Sequence, residues 1–189
     1  MTMKRSALLF ATTSAVLAIS FFILVLARVA HIPSTIRDEE YGLYSDWTKS
    51  HFAKNPPQGQ LYLLNRSFKF NPLEQSACNP TNIEKAGVPK SLPRQLSDLG
   101  DAEYLFDINS PTRMRIPWKY ASAEVSPNQP PGTFHLLAFS RVAFSRNHRE
   151  AFFAVSDACA AAECGRGGAV YARMNQGAWT FQSVCTWVY

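Results

Sequence analysis

The chain has 189 residues and a formal net charge of +5, and only 17% of its residues are charged while 13% are aromatic. This composition excludes a disordered chain and is typical of a globular domain rich in β-structure. Lys4 and Arg5 supply two of the five net charges, and the remaining +3 is spread along the chain. Nucleic-acid binding requires clustered basic residues, so we expect no nucleic-acid partner.

An apolar leader opens the chain. Residues 1–5 are basic, and residues 6–27 carry no charge and are long enough as a helix to cross a bilayer core of roughly 30 Å. We predict that residues 1–30 are a membrane anchor or signal segment. An uncleaved anchor is favoured over a cleaved signal peptide, although Val25-Leu26-Ala27 offers a cleavage site.

The basic flank of the leader places the N-terminus in the cytoplasm. Residues 31–189 are then a single domain outside the cytoplasm, and the expected location is the cell membrane with one membrane pass. The membrane is the expected partner of the leader. The alternative is a secreted or periplasmic domain, released after signal cleavage.

A helix and a strand are predicted next. Segment 38–53 begins with acidic and ends with basic residues, as the helix dipole favours. Its larger side chains recur at helical spacing on one face: Tyr41, Tyr44, Trp47, Thr48 and Phe52. Packing of this face on a sheet is favoured over a ligand-binding stripe. Two prolines and a glycine within 55–59 end the helix, and residues 60–70 are predicted as a strand.

The middle of the chain is irregular. Prolines between residues 71 and 92 predict loops with short turns. A short helix is predicted at 92–99, a short strand at 104–108 and an extended piece at 113–120. Residues 126–132 are rich in proline and are predicted to form a loop.

The last third predicts a four-stranded antiparallel meander, because four apolar β-rich segments are joined by short connections. The strands are 133–144, 149–156, 168–174 and 179–188. Alternation in the first strand places Val142 and Phe144 on the face of Leu136, and Leu137 and Arg141 on the other. The predicted fold is α+β: an N-terminal transmembrane or signal helix, one helix packed on a mainly antiparallel sheet, and the C-terminal meander.

Four cysteines in an exported chain indicate disulfide bonds. Cys159 and Cys164 lie at the two feet of a predicted hairpin loop and are natural partners. Cys78 would then pair with Cys185 across more than 100 residues. A four-thiolate zinc site would need two close pairs of ligands, and only one pair is close. We therefore expect no metal and no cofactor.

Three other charged or glycine-rich groups are interpreted as structural. Segment Gly165-Arg166-Gly167-Gly168 leads into a strand rather than a helix, so we interpret it as a tight turn and bulge with positive φ, not a phosphate loop. Asp38, Glu39 and Glu40 are interpreted as a helix N-terminus. The local basic cluster is interpreted as a solvated turn, and it contains Arg141, Arg146, His148 and Arg149.

A short sequence pattern occupies the last third. It comprises Ser140-Arg141-Val142-Ala143-Phe144, Glu150-Ala151-Phe152, Cys159, Cys164-Gly165, Gly167, Gly177-Ala178-Trp179 and Trp187. On these residues, segment 134–187 resembles the end of an uncharacterised family of bacterial exported or lipid-anchored proteins. The resemblance implies an extracytoplasmic location and an α+β fold, and it implies no activity. The Gly-x-Trp closing strand is also similar to that of cone-shaped domains like nuclear transport factor 2, a similarity of fold alone.

Two functions remain open. The favoured one is a membrane-tethered or secreted non-catalytic domain that binds a protein or an envelope component, because no catalytic constellation is visible. The alternative is a small hydrolase-like extracytoplasmic enzyme with a site assembled from scattered residues such as His135, Asp157, Glu163 and Arg166. A deep pocket with convergent titratable groups would favour the enzyme. A shallow apolar patch would favour the binding domain, around Trp118, Trp179 or Tyr189.

Overall fold

The predicted leader and several loops lie outside the residues that the structure describes. This computed structural model describes residues 36–53, 56, 60–71, 78–99, 104–107, 113–115, 119–121, 134–159 and 165–188. The anchor and the domain boundary after residue 30 therefore stay predictions, as does the loop at 126–132. Among the described helices, none is long and apolar enough to span a membrane.

The described helices and strands build an α+β fold around one mixed sheet. The helices are α1 (Asp38–His51), α2 (Pro80–Lys85) and α3 (Ser91–Leu99). The strands are β1 (Gln60–Leu64), β2 (Lys119–Ala121), β3 (Phe134–Phe139), β4 (Ala143–Phe144), β5 (Glu150–Cys159), β6 (Arg166–Asn175) and β7 (Ala178–Val188). Six strands follow the order β2-β1-β3-β5-β6-β7, and β4 also pairs with β5. Strand β1 is parallel to β2 and β3, whereas β3, β5, β6 and β7 are antiparallel in turn.

Helix α1 covers one face of the sheet, as its aromatic stripe predicts. Tyr41, Tyr44 and Trp47 are buried together with Thr48. The Tyr44 ring stacks on Phe139 of β3 with the ring centres 4.4 Å apart. Aromatic burial of this kind supplies much of the stability of a small core.

The opposite face of the sheet is also covered. Helices α2 and α3 lie on it and bury Leu92 and Leu96 in a second apolar cluster with Phe152 and Tyr171. The sequence predicts only loops and short turns where α2 forms. This helix begins at an Asn-Pro pair, because the side chain of Asn79 accepts a hydrogen bond from the Asn82 amide at 2.9 Å.

A disulfide bond fastens this second layer to the sheet. Cys78 and Cys185 are bonded, with their Cα atoms 5.3 Å apart, which confirms the predicted long-range pair. Two sulfurs that bond each other do not serve as zinc thiolates. The other predicted bond lies outside the described residues, since Cys164 and the side chain of Cys159 are not described.

The first strand of the meander is broken by a bulge. Phe139 pairs with Val155 but Ala143 pairs with Phe152, so β3 and β4 together contain one more residue than β5 opposite them. An extra residue reverses the alternation beyond it. The predicted faces are therefore wrong from residue 142 onward: Val142 and Phe144 join the core of Leu137 and Phe139.

A buried ion pair lies at the bulge, although the sequence interpretation assigns Arg141 to a solvated turn and Glu40 to a helix N-terminus. Arg141 is 1% exposed and Glu40 is fully buried, and Arg141 Nη2 donates to Glu40 Oε1 at 2.8 Å. The Val142 amide donates to the same carboxylate at 3.0 Å. Arg141 is thus not part of a solvated basic turn, and Glu40 is more than a charge at a helix N-terminus.

Candidate functional site

A cleft of about 550 Å³ opens between the C-terminal end of α1 and the sheet face that α1 covers. Its walls are apolar and aromatic side chains from α1, β5, β6 and β7: Trp47, Val155, Val170 and Phe181. Four ionisable side chains also line it: His51, His135, Asp157 and Arg166. This combination of apolar walls and a few convergent polar groups is typical of small-molecule sites.

The strand register brings three of these ionisable residues to one face. Asp157 of β5 lies directly opposite Arg166 of β6 and Leu137 of β3. His135 lies two residues before Leu137, and residues two apart in a strand share a face. The three side chains therefore meet on neighbouring strands, although they are separated by up to 31 positions in the chain.

His135 and Asp157 form a hydrogen-bonded pair at the edge of the cleft. His135 Nδ1 lies 3.0 Å from Asp157 Oδ1 and 3.3 Å from Oδ2. The two side chains are 24% and 20% exposed. An ionised carboxylate only accepts hydrogen bonds, so beside it Nδ1 is the donor, and in the neutral ring this tautomer leaves the lone pair on Nε2. The carboxylate thus sets both the tautomer and the orientation of the ring.

A second imidazole enters the cleft from the last turn of α1. The His51 ring stacks on Trp47 with the ring centres 4.5 Å apart. Burial lowers the pKa of His51, although the nearby Asp157 carboxylate opposes this shift. Burial also raises the pKa of Asp157, and the hydrogen bond from His135 acts in the opposite direction. At neutral pH, His51 is therefore an uncharged donor and acceptor beside Asp157 and Arg166.

The glycine-rich segment forms strand rather than turn. Gly167 and Gly168 lie within β6 without positive φ, so the predicted tight turn is wrong. Both are needed for close packing. A Cβ on Gly168 would lie 2.7 Å from the Cys185 carbonyl oxygen, and one on Gly167 would overlap the Trp187 ring. The predicted bulge has its counterpart in the opposing strand, where Val184 is the extra residue between the partners of Ala169 and Val170.

The structure brings together three of the four residues suggested for an enzyme site. His135, Asp157 and Arg166 line the same cleft, while Glu163 lies outside the described residues. The sequence interpretation missed His51, which it treats only as a basic residue at a helix end. Its position one turn after Trp47 on the same helix face was the available signal.

The apolar patch suggested for a binding domain is described only in part. Trp118 and Tyr189 lie outside the described residues. Trp179 is partly buried and packs against the core beside Phe144, with the ring centres 6.5 Å apart. Trp179 therefore belongs to the α1 layer, which is the apolar core between α1 and the sheet face that α1 covers.

In the described part of the chain, no three His, Cys, Asp or Glu side chains lie close enough together to hold a metal ion. No known protein family, curated protein or solved structure matches the chain. The similarity of segment 134–187 to exported bacterial proteins stays a prediction from the sequence.

Proposed function

We propose that this protein is an extracytoplasmic domain, tethered to the membrane by residues 1–30, that binds a small organic group in the cleft. The observation that carries the proposal is the convergence of His51, the His135–Asp157 pair and Arg166 in a cleft of about 550 Å³. This volume lies within the range of roughly 300–1,000 Å³ that is usual for small-ligand sites.

The lining indicates the chemistry of the ligand. Trp47, Val170 and Phe181 offer apolar contact to a hydrocarbon or aromatic body. Arg166 and the two imidazoles offer hydrogen bonds to a polar end, and Arg166 favours an oxygen-rich acceptor such as a carbonyl or carboxylate. An envelope component or a protein that presents such a group is the proposed partner.

The extracytoplasmic location is supported by two independent features. The uncharged leader follows basic residues. The disulfide between Cys78 and Cys185 is of a kind that persists in oxidising compartments.

The proposed binding is tested by placing a bulky side chain in the cleft. Ser183 lines the cleft and is exposed, while the neighbouring Gln182 is exposed but is not among the lining residues. We expect Ser183→Trp to abolish the binding of fragment-library hits to the full-length protein in detergent, measured by ligand-observed NMR. Gln182→Trp is the matched control and keeps binding. Hits that bind both variants and the wild type equally would contradict the proposal.

A further inference from the structure

Two histidine–carboxylate pairs are present in the described part of the chain, and they differ in their surroundings. His148 Nδ1 lies 3.0 Å from Glu39 Oε2, the same separation as in the His135–Asp157 pair. The His148 pair is 50% and 54% exposed, and its ring stacks on Phe144 at a hairpin. In the His135–Asp157 pair, each side chain is less than half as exposed as its counterpart in the His148–Glu39 pair, and both line the cleft.

The His135 pair has the features of a positioned base. Its Nδ1 is held by Asp157, which leaves Nε2 to accept a proton. Arg166 lines the same cleft, and its permanent charge can stabilise an oxygen that becomes negative. The apolar walls exclude part of the water that would weaken this charge.

The hydrogen bonds of His135 indicate whether the nucleophile is a side-chain hydroxyl or water. Ser50, Ser183 and Thr186 line it, yet among the described residues no hydroxyl is hydrogen-bonded to His135. A serine triad would require such a bond between nucleophile and base. Water is a nucleophile that a cleft base can activate without one.

We infer that the cleft hydrolyses a small carboxylic ester, with His135 as general base, Arg166 as the cation that stabilises the oxyanion, and Asp157 as the positioning residue. The inference rests on the proposed small-ligand function of the cleft. It assigns that cleft an activity and a substrate class.

The reaction balances without a further reactant. His135 Nε2 removes a proton from a water molecule while the water oxygen bonds to the ester carbonyl carbon. The carbonyl electron pair moves to the oxygen, beside Arg166. The pair returns as the bond to the alcohol oxygen breaks, and the imidazolium gives its proton to the departing alcohol. The products are a carboxylic acid and an alcohol, and the base is regenerated.

The test uses p-nitrophenyl butyrate as the probe and the full-length protein in detergent. We expect His135→Asn to lower kcat/KM by about 100-fold, in the usual range for loss of a general base. His148→Asn removes the matched exposed pair and leaves kcat/KM unchanged. Arg166→Gln changes an exposed residue, so folding is preserved, and it lowers kcat/KM by about tenfold.

The positioning role of Asp157 has its own signature. In Asp157→Asn the amide can donate to Nδ1, so the His135 proton moves to Nε2 and the base is lost. We expect a lower kcat at an unchanged KM, with a reversed His135 tautomer in ¹⁵N NMR.

A wild-type rate equal to that of both His135→Asn and Arg166→Gln overturns the inference. If the rates are equal but fragments still bind the wild type and fail to bind Ser183→Trp, the equal rates overturn only the catalytic inference. The proposed binding function then stands. Loss of cleft-specific binding overturns both.

Discussion

At the scale of single residues, the buried ion pair is what connects α1 to the broken strand of the sheet. Arg141 donates to both carboxylate oxygens of Glu40, from Nη2 at 2.8 Å and from Nε at 3.0 Å. The guanidinium also lies 4.1 Å from the centre of the Tyr104 ring. A pair this deeply buried is costly to break, because the partner left behind is an uncompensated charge.

Glu40→Gln should therefore destabilise the fold strongly. We expect its free energy of unfolding to fall by about 3–5 kcal/mol, as is usual when one partner of a buried ion pair is removed. Glu39→Gln is the control, since the half-exposed Glu39 pairs with the exposed His148, and it should cost less than about 1 kcal/mol. The measurement is urea unfolding followed by tryptophan fluorescence, and similar losses in the two variants would refute this account.

The sequence names some residues of the cleft only as scattered candidates, and the strand register brings them together. His135, Asp157 and Arg166 are named from the sequence and lie in one cleft. Val142 and Phe144 are misplaced because one extra residue in the bulge reverses the faces beyond it. Arg141 is on its predicted face, but it is buried against Glu40 rather than solvated. Nothing in the residue types marks that bulge, since Ser140 forms its bonds with Ala154 only once β5 is in register.

At the scale of elements, hairpins are predicted best. β6 and β7 are joined by Gln176-Gly177, and both residues have positive φ as a two-residue hairpin turn requires. Helix α2 is missed because its six residues are too few to show helical periodicity among three nearby prolines. The covering of the second sheet face is likewise a tertiary outcome that local pattern does not predict.

The disulfide should contribute more to stability than any hairpin turn, because it links elements 107 residues apart. On the chain-entropy relation, a loop of this length stabilises the fold by up to about 4–5 kcal/mol. We expect a Cys78→Ala/Cys185→Ala variant to unfold at a lower temperature than the oxidised wild type, as measured by calorimetry. Reductant should lower the wild-type melting temperature more than that of the variant, and an equal response would contradict the bond.

At the scale of the whole molecule, the described residues form a sheet with helices on both faces, and the cleft lies at one end of the α1 layer. The α+β class and the antiparallel C-terminal strands follow from the sequence. The parallel pairing of β1 with β2 and β3 does not, since the connections that lead to it are long.

The proposed topology predicts the fate of a reporter fused to the chain. Alkaline phosphatase joined after residue 60 should be active, because that enzyme needs export to form its own disulfides. A cytoplasmic reporter such as β-galactosidase at the same position should be inactive. The opposite pattern would place the domain in the cytoplasm and would contradict the proposed extracytoplasmic, membrane-tethered location.

The most direct test of the cleft is a crystal structure of the protein with its strongest fragment bound. The account predicts ligand density between the end of α1 and strands β5 to β7, with a polar ligand atom within hydrogen-bond distance of His135 Nε2 or Arg166. Density elsewhere on the molecule, with the cleft empty and the His135–Asp157 pair unchanged, would contradict it.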